Sequence, residues 1–182
     1  MTRHFNEVAL GHLTERLAAD IAAAAMPEAF ALVGIRRGGV GLAACLGRML
    51  AQHWGQPVPV GTVDTSLYRD DAAVRLPSPL SGPSVIRFPM GGLDVVLVDD
   101  VLHTGRTVRA AIDAVLDYGR PRRIRLAVLF DRGGRELPIA ADFVGHTLSL
   151  TPRARLDVRL DADGHGAAEV QLPREEHAEG GA

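Results

Sequence analysis

Hydrophobic residues recur at helical spacing near the start of the chain. Leu10, Leu13, Leu17, Ile21 and Ala24 share one face, so a helix is predicted over Phe5–Ala25, ended by Pro27. Phe30–Ile35 (FALVGI) is a short apolar run without alternation and reads as a buried strand. Gly38 and Gly39 break it, and Val40–His53 follows as a helix with Leu42, Leu46, Met49 and Leu50 turned inward. Val58–Asp64 is predicted as the next strand, Asp94–Asp99 (DVVLVD) is the clearest one, and Arg122–Phe130 is another. Thr107–Tyr118 is the clearest helix. Its apolar stripe is Val108, Ala111, Ile112, Val115 and Leu116, with Gly119 as a left-handed cap and Pro121 just beyond. Arg155–Leu160 and Ala168–Leu172 flank Asp163-Gly164 and predict an antiparallel hairpin. Between these elements, Leu67–Gly92 has no period and carries Pro77, Pro79, Pro83 and Pro89, the pattern of a lid or binding arm.

Strands alternating with helices predict an α/β fold: a mainly parallel twisted sheet with helices on both faces, a long flexible lid arm and a C-terminal β-hairpin. The expected organisation is a single domain over residues 1–172 and a loose polar tail over 173–182. Ligands of such sheets bind beyond the carboxyl ends of the strands. That directs attention to three loops: Arg36–Gly39, Val101–Arg106 and Asp131–Arg135.

Length and composition narrow the functional classes. A chain of 182 residues, 47% apolar and 23% charged, can build one full hydrophobic core. Its net charge of −2 excludes a general polycation seeking nucleic acid, although a local basic face stays open. All 20 basic residues are arginine, so every phosphate contact from a basic side chain is a guanidinium fork. Cys45 is the only cysteine, which excludes an intrachain disulfide and fits a reducing compartment. With no secretory pattern at the N-terminus and no apolar run long enough to span a bilayer, the expectation is a cytoplasmic protein with no membrane partner.

The chemistry concentrates in Val95–Thr107 (VVLVDDVLHTGRT). An apolar strand delivers adjacent carboxylates, Asp99 and Asp100, to the sheet edge, and a small-residue loop then opens a helix. Backbone amides near Thr104, Gly105, Arg106 and Thr107 lie at the positive end of that helix and suit a phosphate dianion. Carboxylates beside a phosphate repel it unless something stands between them. A ribose does so, with its hydroxyls donating to Asp99 and Asp100 and its 5-phosphate on the loop. Magnesium carried by a pyrophosphate further offsets the negative charge. The plain alternative, a strand–turn–helix with a solvated acidic turn, gives the two carboxylates no packing purpose.

A second glycine pattern competes. Gly39-Val40-Gly41-Leu42-Ala43-Ala44 matches G-x-G-x-x-A between a strand and a helix, with Asp64 downstream. Arg36 and Arg37 interrupt the tight turn that a dinucleotide site requires. Arg36, Arg37 and Gly38 suit a pyrophosphate leaving group instead, and a helix entrance with solvated arginines is the simpler alternative.

The Val95–Ala111 run resembles the PRPP-binding motif of type I phosphoribosyltransferases. Gly34–Gly39 (GIRRGG), Pro59–Asp71 (PVGTVDTSLYRDD) and Arg120–Asp142 (RPRRIRLAVLFDRGGRELPIAAD) resemble, more narrowly, the PyrR family of uracil phosphoribosyltransferases and pyr operon attenuation proteins. The similarity runs from about Leu32 to Leu172. It implies transfer of the ribosyl phosphate of PRPP to N1 of uracil, giving UMP and pyrophosphate, with Mg2+ entering on PRPP rather than at a protein metal site. It also implies roles. Asp99 and Asp100 would hold the ribose hydroxyls; Thr104, Gly105, Arg106 and Thr107 the 5-phosphate; Arg36, Arg37 and Gly38 the pyrophosphate. Ser66–Arg69 would open the lid, and Asp131, Arg132 and Gly133 would lie near the base. Asp100, Arg69 and His103 are the catalytic candidates. His103 is expected to face the ribose region, where it either accepts the N1 proton or only packs against its surroundings. A strand-end turn for Asp131 and a solvated charge for Arg132 are the simpler alternatives.

The family also implies a partner of another class, pyr mRNA bound in the presence of UMP, and a homodimer or higher homo-oligomer. Arg120, Arg122, Arg123 and Arg125 form a basic cluster, but alternate residues of a strand face opposite ways. The chain also departs from the RNA-binding members. Their Arg-Gly-His-Arg is here Arg132-Gly133-Gly134-Arg135, and their Pro-Ile-Arg-Ala-Asp is Pro138-Ile139-Ala140-Ala141-Asp142. A lysine of theirs is His146, and a Thr and a His of their first helix are Glu15 and Ala19. The enzyme therefore ranks ahead of the attenuator.

Overall fold

Six consecutive buried residues make β2 (Phe30–Ile35) a central strand, and the first six of β4 (Asp94–Leu102) are buried in the same way. A strand covered on both faces has no polar side to alternate with, which is why both read as apolar runs. The computed structural model describes residues 3–36, 38–68, 82–151 and 153–171. Arg37, Arg69 and the 173–182 tail lie outside the described residues, as does the middle of the arm, 69–81.

Five strands form a parallel sheet in the order β3-β2-β4-β5-β6, where β3 is Val60–Val63, β5 is Arg123–Asp131 and β6 is Phe143–Thr147. Helices α1 (Glu7–Ala24) and α2 (Gly39–Trp54) cover one face. There Leu10, Leu17, Ile21, Leu42, Leu46 and Leu50 meet Leu32, Val96, Val98 and Leu129. Helix α3 (Arg106–Leu116) covers the other face, bringing Val108, Ala111 and Val115 against Val33, Val95, Leu97 and Val128. Each fully buried Leu or Val contributes roughly 1.5–3 kcal/mol of transfer free energy, so the apolar stripes rather than helix propensity decide which way each helix turns.

The N-terminal helix begins later than its periodicity suggests, because Asn6 caps it by accepting from the Ala9 amide at 3.0 Å. The residues before it, Arg3–Phe5, form a short strand, β1, that the pattern did not reveal. β1 pairs antiparallel with β8 (Gly166–Gln171), which pairs with β7 (Arg155–Leu160) in the expected hairpin, giving a second, three-stranded sheet. Gly164 takes the left-handed conformation in that turn, at φ 89°. The described end of the arm returns along the sheet edge, where Val85 bridges Thr62 and Met90 is buried.

β4 runs three residues further than predicted, and its alternation slips over that extension. Val96, Val98 and Val101 pack on the α1/α2 side, whereas Val95, Leu97 and Leu102 pack on the α3 side. The break falls on Asp99 and Asp100.

Candidate active site

The parallel sheet places the three loops singled out from the sequence at one edge, and direct contacts join them. Gly38 and Gly39 lead into α2 across the end of β4. A Cβ added at Gly38 would stand 2.1 Å from the carboxyl carbon of Asp100, and one at Gly39 would stand 1.9 Å from the Val98 carbonyl oxygen. At Gly38 the Asp100 carboxyl group would therefore have to turn aside, whereas Gly39 is demanded by the β4 backbone. The same holds along the would-be dinucleotide pattern, since a Cβ at Gly41 would meet the Leu160 carbonyl oxygen at 2.2 Å. Close packing of strands on α2 accounts for that glycine spacing.

Asp99 is buried and Asp100 half-buried. The Asp100 amide donates to Asp99 Oδ1 at 3.0 Å, and the Val101 amide donates to Asp100 Oδ1 at 2.8 Å. Burial, and then the Asp100 charge beside it, hold Asp99 well above the usual carboxylate range; burial raises Asp100 as well. Two carboxyl groups kept this close favour a partner that donates hydrogen bonds or brings positive charge. Each flanking helix begins at a glycine. α2 starts from Gly38 and α3 from Gly105; neither has a side-chain cap or an acidic residue in its first turn. The helix dipoles thus bring two positive ends to the region around the acidic pair. Gly105 sits at φ 90°, a conformation that favours glycine, and the Thr104 hydroxyl accepts from the Arg106 amide at 3.4 Å. Thr107 is half-buried on the first turn of α3.

The loop after β5 closes onto the loop after β4. The Arg132 amide donates to the Leu102 carbonyl at 3.1 Å, and the amides of Glu136 and Leu137 donate to the Thr104 carbonyl at 3.0 and 3.1 Å. Arg135 ties the two loops together, donating to the carbonyls of His103 and Ile139 at 2.9 Å each and to the Asp131 carboxylate. Burial opposes ionisation of Asp131, but the Arg135 guanidinium and the Gly133 amide outweigh it and hold the carboxyl below its usual range. Arg106 pairs with Glu136 at 2.6 Å.

A family model described as a phosphoribosyl transferase domain matches residues 7–162. The chain is 53% identical over 135 residues to the bifunctional protein PyrR of Roseiflexus sp. (strain RS-1), covering 74% of each. To the protein of the same name from Syntrophobacter fumaroxidans it is 47% identical over 152 residues, covering 82% of each. The chain belongs to the PyrR family of phosphoribosyltransferases. Among solved structures, the hypoxanthine-guanine phosphoribosyltransferase of Bacillus anthracis matches with a TM-score of 0.61 at 20% identity, covering 82% of this chain and 83% of that one. The hypoxanthine phosphoribosyltransferase of Trypanosoma cruzi gives 0.59 at 22%, covering 79% of each. These two likenesses establish the type I phosphoribosyltransferase fold.

Within this PyrR-family site several sequence-based expectations change. The His103 ring lies against the loop after β5, where a Cβ on Gly134 would stand 2.8 Å from its Nε2. Arg132 is not a solvated charge. It is 8% exposed, its NH2 donates to the Thr151 carbonyl at 3.2 Å, and its Nε is buried without a partner. Arg36 also keeps a buried, unpartnered Nε, while its NH2 stands 3.5 Å from Thr62 Oγ1. The arginine cluster divides. Arg122 pairs with Asp94 at 2.9 Å, and Arg125 donates to the Ala24 carbonyl and lies over Phe143, leaving Arg120 and Arg123 exposed without those ties. Arg135 and Gly134 lie in a loop that the sequence points to, but it assigns neither a part in the catalytic site. The spacing of Asp131 and Arg135, four residues apart, was the available signal for the first.

Proposed function

We propose that this chain transfers the 5-phosphoribosyl group of PRPP to N1 of uracil, forming UMP and releasing pyrophosphate. The observation that carries this is the acidic pair Asp99–Asp100 set between two glycine-started, uncapped helices. Hydroxyls of one ribose can satisfy the carboxylates while phosphates occupy the two helix ends. Thr104, Gly105, Arg106 and Thr107 hold the 5-phosphate in this reading. Arg36 and Gly38 border the pyrophosphate, together with Arg37 and Arg69, which lie outside the described residues. Asp131, Arg132 and Gly133 flank the base. Magnesium would come bound to PRPP, beside the hard oxygen donors of Asp99 and Asp100, and supplies positive charge to the departing pyrophosphate. Asp100 orients the ribose, the positive helix ends stabilise charge that grows on the leaving oxygens, and His103 takes the N1 proton of uracil as the new N–C bond forms.

The relatives' name, bifunctional protein PyrR, favours a second activity: UMP-dependent binding of pyr mRNA and attenuation of pyrimidine genes. Only part of the basic cluster is left to serve it, so the enzyme comes first. We take residues 1–172 as one functional unit and a homodimer as the working assembly, with the apolar groove between α1 and α2 (Ala18, Ala22, Met49, Leu50) and exposed Val8 as the surface to cover. A single buried cysteine suits a reducing compartment, so we place the reaction in the cytoplasm.

Pyrophosphate release from PRPP and magnesium, measured with each nucleobase in turn, decides the main reading. Uracil should be the preferred acceptor, and turnover of hypoxanthine or guanine in its place would overturn it. A salt-dependent gel shift of the pyr leader transcript, with and without UMP, decides the second.

A further inference from the structure

Gly133 and Gly134 stand side by side in the loop after β5, both in the left-handed conformation at φ 70° and 72°. Their surroundings differ. A Cβ at Gly133 would meet nothing within 4 Å, whereas one at Gly134 would lie 2.8 Å from Nε2 and 2.9 Å from Cδ2 of His103. Contacts that short cannot persist, so a side chain at position 134 and the present placement of the imidazole exclude each other. The loop is also bolted to the backbone of His103, because Arg135 donates to the His103 carbonyl at 2.9 Å while holding Asp131. The ring has little freedom to answer by shifting the whole loop. Among the described residues, the charged groups that act on it are Arg132, Arg135 and Glu136.

We propose that Gly134 is a positioning residue for phosphoribosyl transfer: the side chain it lacks leaves the space in which the His103 imidazole is held against the loop that flanks the base. The catalytic half of this rests on the function proposed above. As the bond from uracil N1 to the ribose anomeric carbon forms and the bond from that carbon to pyrophosphate breaks, N1 loses its proton. The proton passes to the neutral imidazole of His103 and afterwards to water. His103 is half-buried, and burial, together with Arg132 and Arg135, keeps its pKa below the ordinary 6.5, with Glu136 opposing, so the ring is ready to accept at neutral pH. Swung aside by a side chain at 134, the ring enters solvent and loses both that environment and its reach.

The two glycines supply a matched test. Gly133→Ala and Gly134→Ala carry the same backbone strain, but only the second strikes the ring. In a histidine NMR titration, with the His103 signal identified by its loss in His103→Ala, Gly134→Ala should raise the His103 pKa toward its ordinary value. Gly133→Ala should leave it in place. In turnover of PRPP with uracil, Gly134→Ala should lower kcat by about 10–100-fold and move the acid limb of the kcat/KM profile to higher pH. Placed in His103→Ala, which already lacks that limb, it should add less than about twofold. Equal shifts of the His103 titration in the two glycine variants would overturn the proposal, as would a Gly134→Ala loss undiminished in the His103→Ala background. A wild-type protein inert toward uracil, whose imidazole still responds only to Gly134→Ala, would refute phosphoribosyl transfer to uracil and leave the steric placement standing.

Discussion

Arg132 offers the sharpest separation of stability from function. Its side chain is 8% exposed; it makes one hydrogen bond, to the Thr151 carbonyl at 3.2 Å, and no carboxylate pairs with it among the described residues. Burial alone lowers its pKa, with no anion to offset the loss of water. A buried, unpaired cation costs several kcal/mol, and a hydrogen bond from a charged donor recovers about 1.5–3 kcal/mol of it. Replacing Arg132 with Met keeps the length and the apolar contacts of the stem while removing the charge. The net effect should be a gain of roughly 1–2 kcal/mol, which for a chain of this size raises Tm by about 2–8 °C. The same substitution should abolish the ligand's contribution. Wild-type protein saturated with UMP should melt higher than the free protein, with a rise of about 3 kcal/mol at a hundred times Kd, whereas Arg132→Met should gain little. Differential scanning fluorimetry with and without UMP reads both effects. A variant destabilised by more than about 1 kcal/mol that still responds fully to UMP would show that Arg132 serves the fold rather than a ligand.

Gly39→Ala would set a methyl 1.9 Å from the Val98 carbonyl oxygen, so the loop into α2 must retreat by more than 1 Å; a loss of about 1–3 kcal/mol in chemical denaturation and of about a hundredfold in kcat/KM is expected, and near-wild-type turnover would contradict the proposed use of that loop. Asp99→Asn should stabilise the unliganded protein in a pH-dependent way. Because the folded-state pKa of Asp99 is raised, the native protein binds a proton that the unfolded chain has released, and wild-type stability falls as pH rises above the ordinary value of 3.8. The variant's lead in Tm should therefore be absent at pH below that value and present at neutral pH, while its KM for PRPP rises; an equal Tm difference at both pH values would refute the assignment.

The chain's own pattern was enough for the central strands and the three long helices, because the apolar positions that each buries recur at short, regular spacing along the sequence. Phe30–Ile35 was legible to the residue, and the glycine–acid–threonine grammar of Asp99–Thr107 pointed to a sugar phosphate before any contact was visible. What escaped depends on partners distant in sequence. β1 is three residues long and exists through pairing with β8, at the far end of the chain. β6 is a half-buried edge strand, with Gly145 at its centre, that takes its register from β5.

The site divides along the same line. Residue types and spacing selected Asp99, Asp100 and the Thr104–Thr107 loop as candidates, since acidity and backbone freedom are local properties. The packing of His103 against the loop after β5, the burial of Arg132, the role of Arg135 as a tie between loops and the close backbone approach at Gly39 were settled by folding alone. Each follows from how closely two separate segments approach, and an approach too close to admit a Cβ, between residues about sixty apart, leaves no trace in the residues between them.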